Sequence, residues 1–170
     1  MKNLKHNSIV KIFESLENSK YLMIVMEYIN GGDLRSFVRK KKRIDESTAK
    51  FIFRQLIEAL EYLHSKNIVH RDIKLDNILI NNFSVIKVFD FNLHLHIKLK
   101  ICDFGVSKEI TKHEKMTDQC GTPVYMAPEI LLNAVKYRMI IIIIGLLWVW
   151  RGYMVCRSGF IYNVIRCAAF

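Results

Sequence analysis

Polar side chains with complementary chemistry stand close together between His70 and Asn77, a stretch that reads HRDIKLDN. The carboxylate of Asp72 can orient a hydroxyl and take its proton, and the ammonium of Lys74 can neutralise charge on a transferring phosphoryl group. The amide oxygen of Asn77 is a ligand that suits Mg²⁺, and Asp103 supplies a carboxylate with the same preference. These residue types in this order predict phosphoryl transfer, with Asn77 and Asp103 as the metal ligands.

Helical and strand patterns surround this stretch. After Asp45, an acid suited to cap a helix, apolar residues recur at the three-and-four spacing of an amphipathic helix: Ala49, Ile52, Phe53, Leu56, Leu60 and Leu63. We expect a core helix over 45–64. Two β-branched and aromatic runs, 9–14 and 21–28, flank a polar turn and predict two strands. A third strand is expected over 78–80.

Three motifs follow one another along the chain: HRDIKLDN at 70–77, DFG at 103–105 and APE at 127–129. Each is weak alone, but their type and order resemble the eukaryotic protein kinase family over residues 4–132. The resemblance implies an α+β, two-lobed, protein-kinase-like fold, truncated to the end of the small lobe and the first part of the helical large lobe. The lysine at Lys74 implies the serine/threonine type, and within it the chain is similar to calmodulin-dependent and AMP-activated kinases.

The activity implied by this resemblance is transfer of the γ-phosphoryl group of ATP to serine or threonine of a protein substrate, with Mg²⁺ as the metal. Asp72 would be the catalytic base and Lys74 the residue that stabilises the phosphoryl charge, while Thr122 fits the threonine that supports both. Arg71 would be the phosphate-binding arginine. Thr117 is a candidate phosphorylation site, since a dianion there would pair with Arg71 and order the loop.

The nucleotide pocket is implied by the resemblance as well. The stretch MEYINGGD, from Met26 to Asp33, resembles the hinge between kinase lobes, where the chain passes close to a flat adenine ring and glycines let it turn afterwards. Met26 then aligns with the residue that sizes the back pocket, the backbone of Glu27 and Ile29 with the adenine contacts, Asp33 with the ribose contact and Leu79 with the apolar floor beneath adenine. Without the other motifs, the same stretch would fit an ordinary strand-turn-helix junction.

Parts of the family pattern are missing from these 170 residues. No GxGxxG loop occurs, and neither the strand lysine that grips the phosphates nor its glutamate partner precedes Leu4. Residues 1–132 are therefore expected to be a partial kinase domain, and the chain as given to be inactive, with ATP bound only weakly. The alternative hypothesis is a pseudokinase-like or regulatory binding fragment without catalysis.

Residues 88–100, VFDFNLHLHIKLK, stand where kinases have a tight turn. Removing them joins Val85-Ile86-Lys87 to Ile101-Cys102-Asp103, a join that the family pattern accepts. Because valine codons begin with GT and a lysine codon can end with AG, we interpret the segment as an insertion or a retained intron. A metal site at His94 and His96 is the less favoured alternative.

Residues 133–170 are interpreted as a frame-shifted or non-native tail. Reading their codons one nucleotide out permits an Asp-Ile-Trp-Ser sequence followed by an apolar helix, as kinases have after APE. As translated, the apolar run 140–150 is shorter than the roughly 20 residues that span a bilayer. The tail is therefore not expected to be a transmembrane helix.

Net charge is +10, and the run Arg39-Lys40-Lys41-Lys42-Arg43 holds five of the positive charges. Such runs occur in nucleic-acid binders and nuclear addresses, but we interpret this one as a solvated loop between helices. The cysteines have no regular spacing and the first residues lack the apolar run of a signal peptide, which favours a cytoplasmic protein, with the nucleus as an alternative. The expected partners are ATP and a protein substrate; neither nucleic acid nor a membrane is expected.

Overall fold

The computed structural model describes residues 2–42, 44–81, 97–111 and 120–125. Within these ranges the chain forms, in order, β1 (Ile12–Glu17), β2 (Leu22–Met26), α1 (Leu34–Lys41), α2 (Glu46–Ser65), β3 (Ile68–Val69), β4 (Ile78–Asn81), β5 (Lys98–Ile101) and β6 (Lys108–Glu109). Short 3-10 turns cover Leu75–Asn77 and Pro123–Tyr125. Antiparallel strand pairs and helices occupy separate parts of the chain, so the predicted α+β class is confirmed in the described residues.

β1 and β2 form an antiparallel hairpin whose turn is stabilised by one side chain. Asn18 Oδ1 accepts hydrogen bonds from the backbone N–H groups of Lys20 (2.9 Å) and Tyr21 (2.8 Å), a local contact that favours asparagine in turns. The two predicted strands and their turn are confirmed, although β1 begins later than expected. Ile9, the expected start, instead makes a parallel bridge with Ile101 of β5.

Each of the two helices begins after an aspartate that caps it. Asp33 accepts hydrogen bonds from Ser36 N (2.8 Å) and Ser36 Oγ (2.8 Å), and Asp45 accepts them from Thr48 N (2.8 Å) and Thr48 Oγ1 (2.6 Å). Burial raises the pKa of Asp45, but hydrogen bonds from Ser47 and Thr48 outweigh it and lower the pKa to about 2. The predicted cap at Asp45 and the helix after it are confirmed.

The basic run lies largely at the end of α1, so its interpretation as a loop between helices is wrong for its first residues. Arg39, Lys40 and Lys41 occupy the last turn of the helix, where the helix dipole favours positive side chains. Lys42 follows with a φ of 59°, a left-handed conformation that ends the helix. Arg43 lies outside the described residues.

β4 and β5 pair antiparallel, with Ile78 opposite Ile101. The side chain of Gln55, on α2, holds the start of β5 through both of its amide atoms. Its Nε2 donates to Ile97 O (3.0 Å), and its Oε1 accepts from Leu99 N (3.0 Å). These bonds satisfy backbone groups of a buried strand that would otherwise lack partners, and they fix β5 against α2.

The predicted insertion and the predicted tail fall mostly outside the described residues. Lys98, Leu99 and Lys100, the last residues of 88–100, are part of β5. Ile97, just before β5, is described and buried. Residues 88–96, with His94 and His96, and all of 133–170 lie outside the described ranges, so both interpretations stay predictions. Within the described ranges, no helix combines the length and the apolar character needed to cross a bilayer.

The hydrophobic core lies between the helices and the β4–β5 pair. From α2 it includes every residue that the periodicity predicted: Ala49, Ile52, Phe53, Leu56, Leu60 and Leu63. The large apolar side chains of the β1–β2 hairpin, among them Tyr21, Leu22 and Met23, are exposed instead. The well-packed part of the molecule is therefore the part that supports the segment between α2 and β4, where HRDIKLDN lies.

Candidate active site

His70 joins the loop after β3 to the DFG segment. It is buried, and its Nδ1 accepts a hydrogen bond from Asp72 N (3.3 Å), so Nε2 carries the ring proton and donates to Cys102 O (2.9 Å). The centroids of the His70 and Phe104 rings are 4.8 Å apart. Burial lowers the pKa of His70 despite the opposing effect of the Cys102 carbonyl. His70 is therefore a packing and hydrogen-bonding residue of this loop.

Two residues of these motifs adopt left-handed backbone conformations. Arg71 has a φ of 68° and Asp103 a φ of 59°. Side chains other than glycine rarely take this conformation, and where they do the strain is often part of a functional site. At Asp103 the carboxylate itself supports the turn, because its Oδ1 accepts a hydrogen bond from Gly105 N (3.3 Å).

The carboxylate of Asp72 receives hydrogen bonds on both oxygens. Oδ1 accepts from Thr122 N (2.9 Å) and Thr122 Oγ1 (2.8 Å). Oδ2 accepts from Lys74 Nζ (2.6 Å) and Asn77 Nδ2 (3.1 Å). The structure therefore brings together all the side chains predicted to take part in catalysis, although Thr122 is 50 residues from Asp72 in sequence.

These contacts fix the charge states of Asp72 and Lys74. Burial raises the pKa of Asp72, but hydrogen bonds from Lys74 and Thr122 outweigh it, so the net shift is downward. The hydrogen bond to Asp72 in turn raises the pKa of Lys74. A carboxylate of low pKa orients a hydroxyl and takes its proton late, when bond formation has made the hydroxyl acidic.

Asn77 and Asp103 are brought side by side by backbone contacts. Cys102 N donates to Asn77 O (2.9 Å), which places the following residue, Asp103, next to Asn77. The amide nitrogen of Asn77 donates to Asp72 O (2.9 Å), and its amide oxygen is thus the atom left for a cation. Because Mg²⁺ binds to few protein oxygens and takes its other ligands from phosphates and water, this pair fits it. The described ranges hold no group of three His, Cys, Asp or Glu residues that could hold a metal by themselves.

The predicted hinge ends against β4. Asp33 and Leu79 form an antiparallel bridge, and Ile80 N donates to Gly32 O (2.8 Å). The residues predicted to contact the ribose and to floor the adenine are therefore neighbours. Ile29, which lies in sequence between the end of β2 and Asp33, is buried.

The start of the hinge is more open. Met26 ends β2 with an exposed side chain. Glu27 N donates to Lys11 O (2.8 Å), so an adenine contact by Glu27 has to use its carbonyl oxygen. The roles of Met26, Glu27, Ile29, Asp33 and Leu79 in nucleotide binding remain predictions.

Of the two predicted regulatory residues, the structure describes Arg71 but not Thr117, and neither predicted role is tested. Arg71 Nε donates to Val106 O, the residue after DFG. This bond links the catalytic loop, residues 70–77, to the segment that follows DFG. Thr117 lies outside the described residues. The pairing of a phosphorylated Thr117 with Arg71 stays a prediction.

Arg35 is a site residue that the sequence analysis did not identify. Its guanidinium forms an ion pair with Asp76 (3.0 Å) and donates to Tyr125 Oη (3.1 Å). It thus connects α1, the catalytic loop and the segment after Thr122. Arg35 and Tyr125 are 90 residues apart in sequence, and no local pattern marks such a contact.

Comparison with known proteins decides the family. The sequence profile described as "Protein kinase domain" matches residues 1–141. The chain belongs to the protein kinase family. The predicted kinase-like fold is confirmed, and β1, β2 and the hinge correspond to the end of the kinase small lobe, with α1, α2 and the catalytic loop in the large lobe.

Several curated kinases resemble this kinase sequence. "Fatty acyl-CoA synthetase and RNA processing-associated kinase 1" of Saccharomyces cerevisiae is 40% identical over 138 residues, which are 81% of this chain and 14% of that protein. "Serine/threonine-protein kinase KIN4" of the same yeast is 38% identical over 138 residues, 81% of this chain and 16% of that protein. "Probable serine/threonine-protein kinase fhkD" of Dictyostelium discoideum is 40% identical over 136 residues, 78% of this chain and 17% of that protein. The chain spans less than a fifth of the length of each.

Proposed function

We propose that the protein acts as a serine/threonine protein kinase, which transfers the γ-phosphoryl group of ATP to a serine or threonine hydroxyl of a protein substrate. The observation that supports this most strongly is the hydroxyl of Thr122, 2.8 Å from Asp72 Oδ1, because it marks a place where an alcohol can donate to the carboxylate. A substrate hydroxyl that reaches Asp72 beside Thr122, which stays in place to support Asp72 and Lys74, is oriented by the carboxylate and gives up its proton to it. Two of the similar proteins are named as serine/threonine kinases.

Lys74 is suited to the charge that develops during transfer. Its Nζ is 2.6 Å from Asp72 Oδ2 and 3.1 Å from Thr122 Oγ1, so a phosphoryl group that reaches the acceptor hydroxyl meets a positive charge. Because Asp72 already holds the ammonium in place, little reorganisation is needed at the moment of reaction.

Asn77 and Asp103 are the residues that would hold Mg²⁺, which would neutralise charge on the phosphates of ATP. For the nucleoside, we assign the adenine contacts to the backbone of Glu27 and Ile29, the ribose contact to Asp33 and the apolar floor to Leu79. The free thiols of Cys102 and Cys120 suit a reducing compartment, the cytoplasm or the nucleus.

A non-catalytic binding fragment is the second candidate. No GxGxxG loop occurs in the sequence, and the described residues of the β1–β2 hairpin leave large apolar side chains exposed. Without a loop and a lysine to hold the phosphates, we expect the isolated chain to bind ATP with a millimolar or weaker dissociation constant and to transfer negligible phosphate.

The test adds the phosphate-holding parts of a kinase that this sequence does not contain. The chain is fused behind kinase small-lobe strands that carry a GxGxxG loop and the strand lysine, and radiolabel transfer from ATP to a mixture of serine and threonine peptides is measured. The fusion is expected to label peptides, and Asp72→Asn to reduce the rate by about a hundredfold or more. A folded fusion that labels no peptide would contradict the proposal. Asp72-dependent labelling by the unfused chain would instead eliminate the non-catalytic alternative.

A further inference from the structure

An ion pair joins two segments whose predicted roles differ, the start of the hinge and the strand that leads to DFG. Lys100 Nζ lies 2.7 Å from Glu27 Oε2 although the two residues are 73 positions apart in sequence. The lysine side chain is 13% exposed and the glutamate side chain 27%. The pair is largely shielded from water, so it interacts more strongly than a pair on the surface.

Backbone groups complete the contacts of both side chains. Glu27 Oε2 also accepts a hydrogen bond from Lys11 N (3.2 Å), and Lys100 Nζ also lies 3.4 Å from Ile9 O. The carboxylate therefore stays ionised: burial raises the pKa of Glu27, but the bonds to Lys100 and Lys11 outweigh it, and the net shift is downward. Truncating either partner would leave a largely buried charge uncompensated.

The pair stands where a displacement would alter the distance between two binding elements. Glu27 lies two residues before Ile29 in the hinge, and Lys100 lies three residues before Asp103. Around the pair, Val10 N donates to Ile101 O (2.9 Å), so the segment before β1 is already bonded to β5. The hinge itself is joined to β5 at this point through the Glu27 side chain.

We propose that Glu27 and Lys100 form a positioning pair, which sets the distance between the adenine-contacting hinge and the metal-binding Asp103. It acts on a nucleotide that is held at both ends, the adenine and the Mg²⁺-bound phosphates. Adenosine, which reaches only the hinge, is bound nearly as well with or without the pair. The inference rests on the proposed nucleotide site, and it predicts which part of the affinity the pair controls.

The experiment compares variants of the complete chain. Lys100→Met and Glu27→Gln remove the ion pair, and Glu27→Lys combined with Lys100→Glu restores it with the charges exchanged. Lys98→Met is the matched control, because Lys98 is the same residue type on the same strand and its side chain is exposed. Dissociation constants of adenosine and of Mg·ATP are measured by NMR titration of the ¹⁵N-labelled chain.

The proposal predicts a selective loss of affinity for Mg·ATP. In Lys100→Met and Glu27→Gln, the advantage of Mg·ATP over adenosine should fall by about tenfold. In Lys100→Met, which lies outside the adenine contacts, adenosine affinity should change little. Lys98→Met should keep the advantage, and the charge exchange should recover part of it. An ion pair that merely stabilises the fold would weaken both ligands in proportion, and that outcome overturns the proposal.

A second readout applies without any ligand. If the pair sets the distance between the hinge and Asp103, Lys100→Met should shift the backbone amide signals of both Ile29 and Asp103, and Lys98→Met should shift neither. Failure of the unmodified chain to bind adenosine or Mg·ATP would count against the proposed nucleotide site, and the amide signals would still decide the positioning role. Shifts confined to the neighbours of residue 100 would overturn it. Glu27→Gln, which preserves size and hydrogen bonding, provides the same test if Lys100→Met does not fold.

Discussion

The backbones of Arg71 and Gly121 pass so closely that a Cβ on Gly121 would lie 2.5 Å from Arg71 O. Gly121 also has a φ of 112°, in the region that favours glycine. This close approach carries the next residue, Thr122, to the carboxylate of Asp72. The contact between Thr122 and Asp72 therefore depends on the absence of a side chain at position 121.

Gly121→Ala should separate the two segments and destabilise the chain. We expect the free energy of unfolding to fall by about 2–3 kcal/mol, from steric overlap and backbone strain together. The matched control is Gly32→Ala, where φ is 77° but nothing lies within 4 Å of the added carbon, so strain alone should cost about 1 kcal/mol. Urea denaturation measures both, and equal losses would contradict the steric explanation.

Asp45→Ala should shorten or fray the start of α2. The lost hydrogen bonds to Ser47 and Thr48 should lower the free energy of unfolding by about 1 kcal/mol. Because the pKa of Asp45 is lowered to about 2 from 3.8, its contribution is present above pH 4 and is lost as the pH falls toward 2. Asp45→Asn should keep most of the cap and lose this acid dependence. Denaturation at about pH 5 and about pH 2.5 would reveal the difference. If Asp45→Asn matches Asp45→Ala at both, the capping explanation is incorrect.

His64 should make the fold sensitive to mild acid. Burial lowers its pKa from 6.5 to about 4, and among the described residues its Nδ1 has no hydrogen-bond partner. The unfolded chain therefore takes up a proton before the folded chain does, and stability should decline as the pH falls from 6.5 toward 4. His64→Met should flatten that decline. A smaller decline should remain because of His70, whose pKa is also lowered. An unchanged pH profile in His64→Met would show that His64 is solvated.

Deleting residues 88–100 should leave the site intact. In the shortened chain Ile86 takes the place of Leu99, which is buried, and Lys87 takes the place of Lys100, which pairs with Glu27. Gln55 bonds to backbone groups, which any residues in those positions offer. We expect the denaturation midpoint to be unchanged or raised.

Loss of folding in the shortened chain would show that 88–100 is an integral part of the protein. Sequencing cDNA from the same gene is the independent check. It should find transcripts without 88–100, and transcripts in which Ala134 leads after a few residues into Asp-Ile-Trp-Ser. If every transcript encodes 88–100 and 133–170 as given, the retained-intron interpretation of 88–100 and the frame-shift interpretation of 133–170 are wrong.

The structure agrees with the sequence where the signal is local and repeated. The three-and-four spacing from Ala49 to Leu63 predicted α2 because a long helix buries one face many times over. β3 and β6 have only two residues each, too few for any period, and their pairing was not foreseen. Strand β1 was placed too early because Ile9 has the residue type of a strand, and its actual partner, Ile101, is far away in sequence.

The contacts of the site divide in the same way, into those within one motif and those between distant segments. Asp72, Lys74 and Asn77 lie within one motif, so their association could be predicted from their spacing. The ion pairs of Glu27 with Lys100 and of Arg35 with Asp76 join distant segments, and a single charged residue carries no information about a partner that only folding brings near.

Magnesium dependence of ATP binding tests the central claim, that Asn77 and Asp103 form the metal end of a kinase nucleotide site. The ¹⁵N-labelled chain is titrated with ATP with and without Mg²⁺, and the side-chain amide signal of Asn77 is followed. We predict weak, saturable binding that shifts this signal only with Mg²⁺, and loss of the shift in Asp103→Asn. Asp76→Asn, which neutralises the acid beside Asn77, should retain it. A shift that is independent of Mg²⁺, or that survives Asp103→Asn unchanged, would contradict the account.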